Sequence, residues 1–449
     1  MERMKKNEII TGTIWKQLLL FFFPILIGSF FQQVYNTTDT IIVGQFVGTR
    51  ALAAVGSTGF FQMLVVGFFL GLSSGGTVVI SQYYGAGHDE NVRKAVHTSI
   101  ALSLACGAAI MALGYVLAPR VLRVMNTPAD VLDQAVTYTR VCFLGMIPVL
   151  TYNIGAGILR AVGDSRRPLY FLIFSSVLNI LLDLLFVGGF HLGVAGAALA
   201  TILSQAISAV LILMLLAASG ESYRFRPGEI RFHGWILMKI VRIGIPAGLQ
   251  AAMYQISNVI VQRSVNGFGT DTVAAWAVYM RMDSVFWMIT GALGISVTTF
   301  VGQNFGAGQI DRVKRSIKDG LVIYTVLTAA MSFLLFAGCG FIISLFTPDE
   351  SVREIGVWLM RHYCLFYIVF IFVEIYSGAM RGVGNTFIPT VLTAFGVCVL
   401  RILWIMFVLP AHYSLLTLVM TYPVTWSATS LLFLIYYHTG RWMPDPPLS

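Results

Sequence analysis

Long apolar runs, separated by short loops marked by charges, glycines or prolines, constrain this chain more than any other feature of its sequence. Twelve such runs occupy residues 14–47, 51–84, 95–118, 134–160, 168–190, 192–218, 236–265, 273–303, 317–347, 356–380, 388–410 and 412–438. In lipid, only helices or closed barrels satisfy their own backbone, and these runs are too long and too uniformly apolar for barrel strands. The sequence therefore predicts an all-α polytopic membrane protein with twelve transmembrane helices.

The composition supports this class and argues against others. Of 449 residues, 57% are hydrophobic and 11% are charged, whereas soluble proteins have about a quarter charged residues. The net charge of +9 is spread among short loops rather than gathered into a patch, so we expect no nucleic-acid partner. The odd number of cysteines, their apolar setting and the lack of a CxxC spacing predict small core side chains rather than disulfides or metal ligands.

The basic residues also predict the orientation of the chain. Most of the 29 Lys and Arg fall at the N-terminus and in the even-numbered loops. The positive-inside rule then places both termini in the cytoplasm, in a multi-pass protein of the plasma membrane. The first residues, MERMKK before an apolar run, resemble a signal peptide. Pro24 interrupts the apolar run and no A-x-A cleavage site follows, so we interpret this segment as the first transmembrane helix.

The chain repeats itself. The motif QYYGAG at 82–87 returns as QNFGAG at 303–308, and RAVGDSRRP at 160–168 returns as RGVGNTFIP at 381–389. The offset spans six helices, so both copies have the same orientation, as in a parallel repeat about the membrane normal. This predicts an N-terminal six-helix lobe at 1–218, a cytoplasmic linker at 219–235 and a C-terminal six-helix lobe at 236–449. Two such bundles facing a central cleft are the architecture of a transporter.

The repeated loops have a structural interpretation. In both copies the Gly-Ala-Gly is expected to end one helix, and the basic residues after it begin the next. A phosphate-binding loop is not indicated, because no Walker lysine and serine follow in register. Arg160 and Arg381 are expected to bind loop carbonyls or lipid phosphates.

One carboxylate stands in the first apolar run. Gln32, Tyr35, Asn36 and Asp39 are spaced i, i+3, i+4 and i+7, so they share one helix face. An acid in a spanning segment is costly and marks an ion or substrate path by default. The alternative interpretation is an acid at the end of a helix, near the lipid headgroups.

Polar residues in the fifth and sixth runs favour the first interpretation. Asn179 and Asp183 are spaced i, i+4 on one helix, and Thr201 begins a polar stripe on the next. In the second copy of the repeat, Trp404 stands where Asp183 does in the first, and Leu400 stands for Asn179. The second bundle does without these polar groups, which indicates a role in chemistry rather than in folding.

The second half carries its own polar residues within spans. Gln255 and Asn258 lie on one face of the seventh span, and Glu374 lies in the tenth. Glu374 is expected either to pair with Arg401 or Arg281 or to contact a cationic substrate, because isolated buried charges are costly. The sequence assigns no role to Arg281, to Arg401 or to the remaining acid of these spans, Asp283.

Together these motifs resemble the multidrug and toxic compound extrusion (MATE) family. The resemblance covers nearly the whole chain, through P…QQVYNTTDTIIVG in the first span, the Q-x-x-GAG loops and the paired R-x-V-G-[DN]-[ST] turns. It implies two six-helix lobes arranged as a V, which export cationic, lipophilic compounds against inward H⁺ or Na⁺. In one prokaryotic branch a first-helix aspartate couples transport with the help of polar residues on helices 4, 5 and 6. Carried over to this chain, the coupling residues are Asp39, Asn153, Asn179, Asp183 and Thr201.

An Na⁺ site at Asp39, Asn179, Asp183 and Thr201 is the alternative to proton coupling, because these residues offer the hard oxygens that Na⁺ prefers. Another branch of the family couples Na⁺ through acids of the C-terminal lobe on helices 7 and 10. The seventh span here has no acid, so that pattern is at best half present.

The predicted function is a secondary active antiporter that exports amphipathic organic cations in exchange for H⁺ or Na⁺ by alternating access. We expect no cofactor beyond the coupling ion, small cationic substrates and membrane lipid as partners, and a monomer. Pro24 removes a backbone hydrogen bond and is the expected hinge. The substrate cleft is expected to be lined by Gln32, Tyr35, Asn36, Gln255, Asn258 and Glu374.

Three other functions remain open to different degrees. A flippase of related fold, acting on lipid-linked or other solutes, would need a large basic cavity. An intramembrane enzyme would show HExxH, DDxxD or a Ser-Lys or Ser-His constellation, and none is found. A channel is compatible with the composition, although two bundles around a cleft suit alternating access better.

Overall fold

The computed structural model describes residues 7–444, apart from the side chain of Phe60, and that part of the chain is helical without strands. The chain termini, predicted to be cytoplasmic, lie outside these residues. The first-half helices are α1 (Glu8–Thr11), α2 (Ile14–Phe46), α3 (Thr49–Gly85), α4 (Asp89–Val124), α5 (Ala129–Leu144), α6 (Met146–Ala161), α7 (Arg166–Asp183), continued by a π-helical segment Leu184–Gly189, and α8 (Gly193–Ala218).

A short 3₁₀ turn, Pro227–Glu229, precedes the second half. Its helices are α9 (Gly234–Asn266), α10 (Thr270–Gly306), α11 (Ile310–Ser344), α12 (Glu350–Cys364), α13 (Tyr367–Gly382), α14 (Phe387–Thr393), α15 (Leu400–Leu403), α16 (Leu409–Ala411) and α17 (Leu415–His438). The stretch from α14 to α16 is one span, in which π-helical segments Ala394–Val399 and Trp404–Val408 flank α15.

The prediction of twelve spans is confirmed, with two of them broken. Ten helices of the described residues are long and apolar enough to cross a membrane. The other two spans are the pairs α5–α6 and α12–α13, which bend by 47° and 49°. The two breaks, at Gly145 and at Leu365–Phe366, occupy equivalent positions in the repeat, so the bend is a property of the fold and not of one half.

Packing divides the chain into two compact units. The N-terminal unit comprises Leu20–Gly248, and the C-terminal unit comprises Met1–Leu19 with Leu249–Ser449. The dividing points therefore lie inside α2 and α9, which differs from the sequence-based division at 219–235. The residues of that predicted linker belong to the N-terminal unit because their side chains and backbone bind α4.

Two histidines hold this connector. The buried His97 of α4 accepts a hydrogen bond at Nε2 from the backbone N–H of Arg226 at 3.0 Å, and Thr98 Oγ lies 3.1 Å from His233 Nδ1. Burial lowers the pKa of His233, and the hydrogen bond from Arg226 holds the pKa of Glu229 below its usual value. His97 Nε2 is the acceptor in the first bond, and His233 Nε2 accepts from Arg231 Nε at 3.1 Å, so each ring has one unprotonated nitrogen in the docked connector.

Glycines form a close helix crossing in the N-terminal unit. Gly71 and Gly75 of α3 face Gly244 and Gly248 of α9, and a Cβ added at Gly75 would lie 2.9 Å from the Gly244 nitrogen. A Cβ at Gly71 would contact the backbone of Gly248 directly. Small residues spaced by four on both helices allow the two backbones to touch, which is the usual way that helices associate in lipid.

In the C-terminal unit, the repeated loop receives the start of the chain. Asn7 donates from Nδ2 to Gln303 Oε1 at 2.8 Å, and Arg312 donates to the carbonyl oxygens of Ile9 and Gly12 at 2.9 and 2.8 Å. These bonds fix α1 against the ends of α10 and α11. As the repeat predicts, the Gly-Ala-Gly motifs end α3 at Gly85 and α10 at Gly306.

Candidate functional site

The site begins with two acids on neighbouring helices of the N-terminal unit. Asp39 lies in α2, and Asp183 is the last residue of α7, where the π-helical segment begins. Asp39 is 9% exposed and Asp183 is 0% exposed. Their carboxyl groups lie within hydrogen-bonding reach of each other. The sequence placed both acids in spans, and the structure brings them into one pair.

Neither acid is satisfied as an anion. Asp39 Oδ1 and both carboxylate oxygens of Asp183 are buried and accept no hydrogen bond from the described residues. Two carboxylates in contact in a low-dielectric setting repel each other strongly when both are charged. The pair therefore needs a proton between its oxygens or a cation beside them.

Asn179 and Thr201 extend the same polar group. The Asn179 amide donates to Thr201 Oγ1 at 3.4 Å, and Thr201 in turn donates to the carbonyl of Ala197 at 3.2 Å. Asn179 Oδ1 is buried and accepts no hydrogen bond from the described residues. Unpaired amide and carboxylate oxygens are hard ligands that suit Na⁺, so the residues present fit either a proton or a hard cation. No cluster of three His, Cys, Asp or Glu suited to a transition metal occurs in the part of the chain described.

Asn153 is placed differently from the other four predicted coupling residues. Its amide donates to the carbonyl of Val149 in its own helix, α6, at 2.8 Å. Among the described residues it makes no side-chain hydrogen bond to the acid pair or to Asn179 and Thr201. The structure thus joins four of the five predicted residues through the pair and the Asn179–Thr201 bond and leaves Asn153 on a neighbouring helix.

The residues of α5 that border the acid pair were not identified from the sequence. Tyr138 of α5 lies close enough to both acids to interact with them electrostatically, and Cys142 does so with Asp39. Ile42, Val187 and Ala197 belong to the same apolar cluster as Tyr138. A single tyrosine in an apolar span has no spacing pattern, so no signal in the sequence identified it.

The expected substrate-contacting residues of the first span lie on the approach to Asp39. Gln32 and Asn36 are exposed and Tyr35 is half-buried, on the helix face that ends at Asp39. The helix α2 runs unbroken through Pro24.

Glu374 of the C-terminal unit has a partner that the sequence analysis did not foresee. Arg381 lies 3.0 Å from Glu374 Oε1, and both side chains are 19% exposed. The expected pairing of Glu374 with Arg401 or Arg281 is therefore wrong, whereas the expected binding of Arg381 to loop carbonyls or lipid phosphates stays a prediction. Both residues lie on α13 two turns apart, so the long Arg381 side chain reaches back to Glu374 along its own helix.

Asp283 is the most completely satisfied acid of the C-terminal unit. Its Oδ1 accepts from the hydroxyls of Tyr279 at 3.1 Å and Tyr367 at 2.7 Å, and its Oδ2 accepts from the indole N–H of Trp287 at 2.7 Å. The side chain is buried, and these three neutral donors satisfy both of its oxygens. Its setting is the opposite of the one around Asp39 and Asp183.

Comparisons with known proteins agree with this architecture. The family model MatE matches residues 24–185 and again 246–406, once in each half. The probable multidrug resistance protein YoeA of Bacillus subtilis is 30% identical over 95% of this chain and 94% of its own length. A protein of Shewanella oneidensis described as an FAD transporter is 26% identical over 79% of this chain and 78% of its own length.

The fold also matches solved structures. A transporter of Pyrococcus furiosus, described as a member of the MOP superfamily with a binding pocket of reverse polarity, superposes with a TM-score of 0.90. At 23% identity, over 97% of this chain and 98% of the other, the likeness concerns the fold. The twofold match to the family model and the full-length relative together assign the function class: the chain belongs to the MATE family of multidrug efflux transporters.

Proposed function

We propose that this protein is an antiporter that exports amphipathic organic cations in exchange for H⁺, with Na⁺ as the alternative coupling ion. The observation that carries the proposal is the buried pair of Asp39 and Asp183, in which Asp39 Oδ1 and both oxygens of Asp183 have no donor among the described residues. A pair of this kind cannot stay doubly charged and empty in an apolar wall. It binds a proton or a cation, which is the property that a coupling site requires.

Exchange follows from the competition for this negative charge. When the pair is protonated, its attraction for a positively charged compound in the N-terminal unit is weakened. When the pair loses a proton, the negative charge is restored and a cation is favoured again. Mutually exclusive occupancy by proton and substrate, combined with alternating access, converts an inward proton gradient into outward transport.

Na⁺ could take the place of the proton through Asp39, Asn179, Asp183 and Thr201. The unpaired buried oxygens of the first three support this alternative, because carboxylate and amide oxygens are the ligands that hard cations prefer. Asn153 binds the backbone of its own helix, and its role in assisting the coupling reaction stays a prediction.

The proposed substrate is an amphipathic cation. Gln32, Tyr35 and Asn36 lead to the acid pair on one face of α2, and Gln255, Asn258 and Glu374 are the proposed contacts in the C-terminal unit. Aromatic side chains bind organic cations through their faces. The FAD transporter among the relatives is named for a phosphate-bearing compound, so acidic compounds belong in any test of substrates.

The test is dye efflux from proteoliposomes in which the pH gradient, the Na⁺ gradient and the voltage are set separately. Asp39→Asn should abolish gradient-driven efflux of ethidium while leaving ethidium binding measurable, because the substitution keeps the shape and removes the exchangeable charge. Asp133→Asn is the matched control, since Asp133 is exposed on α5. Efflux by Asp39→Asn at the wild-type rate would refute the assignment and move attention to Glu374.

A flippase is the second candidate. It would transport a lipid-linked anion in the same assay and leave ethidium accumulation unchanged. The proposed setting is the plasma membrane, with both termini in the cytoplasm and the protein acting as a monomer. Cysteine accessibility in intact cells and the mass of the detergent-solubilised protein would test these two points.

A further inference from the structure

Arg401 is a buried cation at a distorted point of the C-terminal unit. It lies in α15, a single turn between the π-helical segments Ala394–Val399 and Trp404–Val408, and its side chain is 1% exposed. π-Helical segments inside α-helices are rare and frequently mark functional sites. In the first copy of the repeat Ile180 stands at this position, so the fold does not require a charge there.

The guanidinium group has few partners. Its Nη1 donates to Asn258 Oδ1 at 3.2 Å, and its carbon lies 4.2 Å from the centre of the Tyr422 ring. Its Nε is buried and has no acceptor among the described residues. An arginine carries five N–H donors and no acceptor, and none of the described carboxylates forms an ion pair with this one.

Two acids within spans of the C-terminal unit already have hydrogen-bond donors. Asp283 accepts hydrogen bonds from three aromatic side chains, and Glu374 accepts from Arg381 at 3.0 Å. The hydrogen-bonding capacity of Arg401 stays available for another acceptor.

Other buried donors surround the same tyrosine. The Tyr363 hydroxyl and the Trp426 indole N–H are buried and have no partner among the described residues. Their rings lie 5.4 and 5.5 Å from the ring of Tyr422, centre to centre. The Arg401 guanidinium, the Tyr363 hydroxyl and the Trp426 indole thus place three donor groups with unpaired N–H or O–H around one ring. Asn258, which binds Arg401, is exposed and links the region to the surface of the unit.

We propose that Arg401 is a binding residue for an anionic oxygen group, a carboxylate or a phosphate carried by an amphipathic solute. A charged, planar donor with a free N–H forms short and strong bonds to such groups. The proposal rests on the proposed export function and deepens it, because it gives the exported compound an acidic group as well as an apolar body. The Tyr363 hydroxyl and the Trp426 indole supply further donors in the same region.

Two dyes that differ only in one acidic group test the proposal. Rhodamine B has a free carboxylate, and rhodamine B ethyl ester has the same rings with that carboxylate blocked. Binding is measured by fluorescence anisotropy with the full-length protein in phosphatidylcholine nanodiscs. Arg401→Gln should raise the Kd of rhodamine B about tenfold or more and leave the Kd of the ester within about twofold. Arg281→Gln, which removes an exposed arginine of α10, should change neither.

An unchanged Kd of Arg401→Gln for rhodamine B overturns the proposal. Should that variant fail to fold, Arg401→Lys keeps the charge and removes the planar fork, so it should lose part of the preference for the acid. The wild-type protein gives an independent measurement: benzoate or inorganic phosphate should displace rhodamine B and not the ester. Failure of both anions to displace rhodamine B also overturns the proposal.

Phosphatidylglycerol nanodiscs identify the source of the anionic group. If a lipid phosphate occupies the site, these nanodiscs should weaken rhodamine B binding to the wild-type protein and not to Arg401→Gln. If only solutes reach it, the lipid exchange should have no effect and the preference for the acid should persist. Proton-driven efflux of the ester is followed in parallel. If Arg401→Gln does not change rhodamine B binding while efflux still depends on Asp39, only the anion site is refuted. If efflux does not depend on Asp39, only the proposed function is refuted.

Discussion

Both units bury acids in their spanning helices, but the two sets of acids have opposite hydrogen-bonding surroundings. In the C-terminal unit, Asp283 accepts from two tyrosines and one tryptophan. In the N-terminal unit, the oxygens of Asp183 accept nothing from the described residues, and the neighbouring polar group is the carboxyl of Asp39. Three donors satisfy the oxygens of Asp283 within the protein, whereas two carboxyls in contact need a proton or cation. The donors around an acid, and not the acid itself, separate a structural role from a coupling role.

The backbone gives a second comparison. A π-helical segment follows Asp183 at Leu184–Gly189, and another begins at Trp404, which is the repeat counterpart of Asp183. The distortion thus belongs to the fold shared by both halves. In the first half, the charged residue at the distortion is the acid Asp183. In the second half it is the cation Arg401, three residues before Trp404.

The largest expected effect is on stability and concerns Asp283. Asp283→Ala leaves Tyr279, Tyr367 and Trp287 without their acceptor and should lower the stability of the C-terminal unit by about 3 kcal/mol or more, since each buried donor left unsatisfied costs about 1–3 kcal/mol. Asp183→Asn removes repulsion within the acid pair and should leave the unfolding temperature unchanged or raise it. Thermal unfolding in detergent, followed by intrinsic tryptophan fluorescence, measures both, with Asp133→Ala as the exposed control. Equal decreases in the unfolding temperature for Asp183→Asn and Asp283→Ala would contradict the difference between the two units.

The next effect concerns the voltage dependence of transport. Exchange of one proton for a monovalent cation moves no net charge, but a second proton on Asp183 would move one charge per cycle. That charge is worth about 2.3 kcal/mol per 100 mV, or roughly a fifty-fold change in the gradient that transport sustains. Asp183→Asn should therefore weaken the response to an imposed voltage while Asp133→Asn does not. Dye gradients in proteoliposomes at fixed potassium diffusion potentials measure this, and an unaltered response would remove Asp183 from the coupling reaction.

A smaller effect is a change in the shape of α2. Protonation of Asp39 removes a desolvation cost, and Pro24 lacks one backbone hydrogen bond, so α2 should bend when the pair is protonated. Spin labels at Ile41→Cys and Leu181→Cys, on exposed positions of α2 and α7, should report a distance that changes between low and high pH. Asp39→Asn should abolish the change, and Pro24→Ala should reduce it. A distance independent of pH in the wild-type protein contradicts the hinge.

The smallest expected effect is at the connector of the N-terminal unit. Because burial lowers the pKa of His233, the undocked connector binds protons more readily than the docked one. The docked state is therefore fully stabilised above about pH 6.5 and loses stability as the pH falls below that value. A nitroxide at Gly228→Cys, where added side-chain atoms have open space, should become more mobile in acid. His233→Asn should flatten this response, and equal mobility at both pH values in the parent protein would contradict it.

The sequence predicted most of the fold and the members of the acid site for definite reasons. Twelve apolar runs gave the spans because lipid leaves a helix as the one arrangement that satisfies the backbone of such runs. The absence of counterparts to Asp183 and Asn179 in the repeat identified polar groups that the fold does not need. Glu374 and Arg381 are spaced i, i+7 and share one helix face, but their pairing was missed because helix ion pairs usually form at i, i+3 or i, i+4 and this one depends on the long reach of the Arg381 side chain.

What the sequence determined by itself is therefore the membrane class, the twofold repeat and the identity of the polar residues within spans, since hydropathy and periodicity are properties of the chain. Tertiary packing decided which of these residues have donors. It brought Asp39 to Asp183, surrounded Asp283 with Tyr279, Tyr367 and Trp287, and left Arg401 without a carboxylate. The physical reason is that the state of a buried charge depends on atoms within a few ångströms, which are contributed by helices far apart in the sequence.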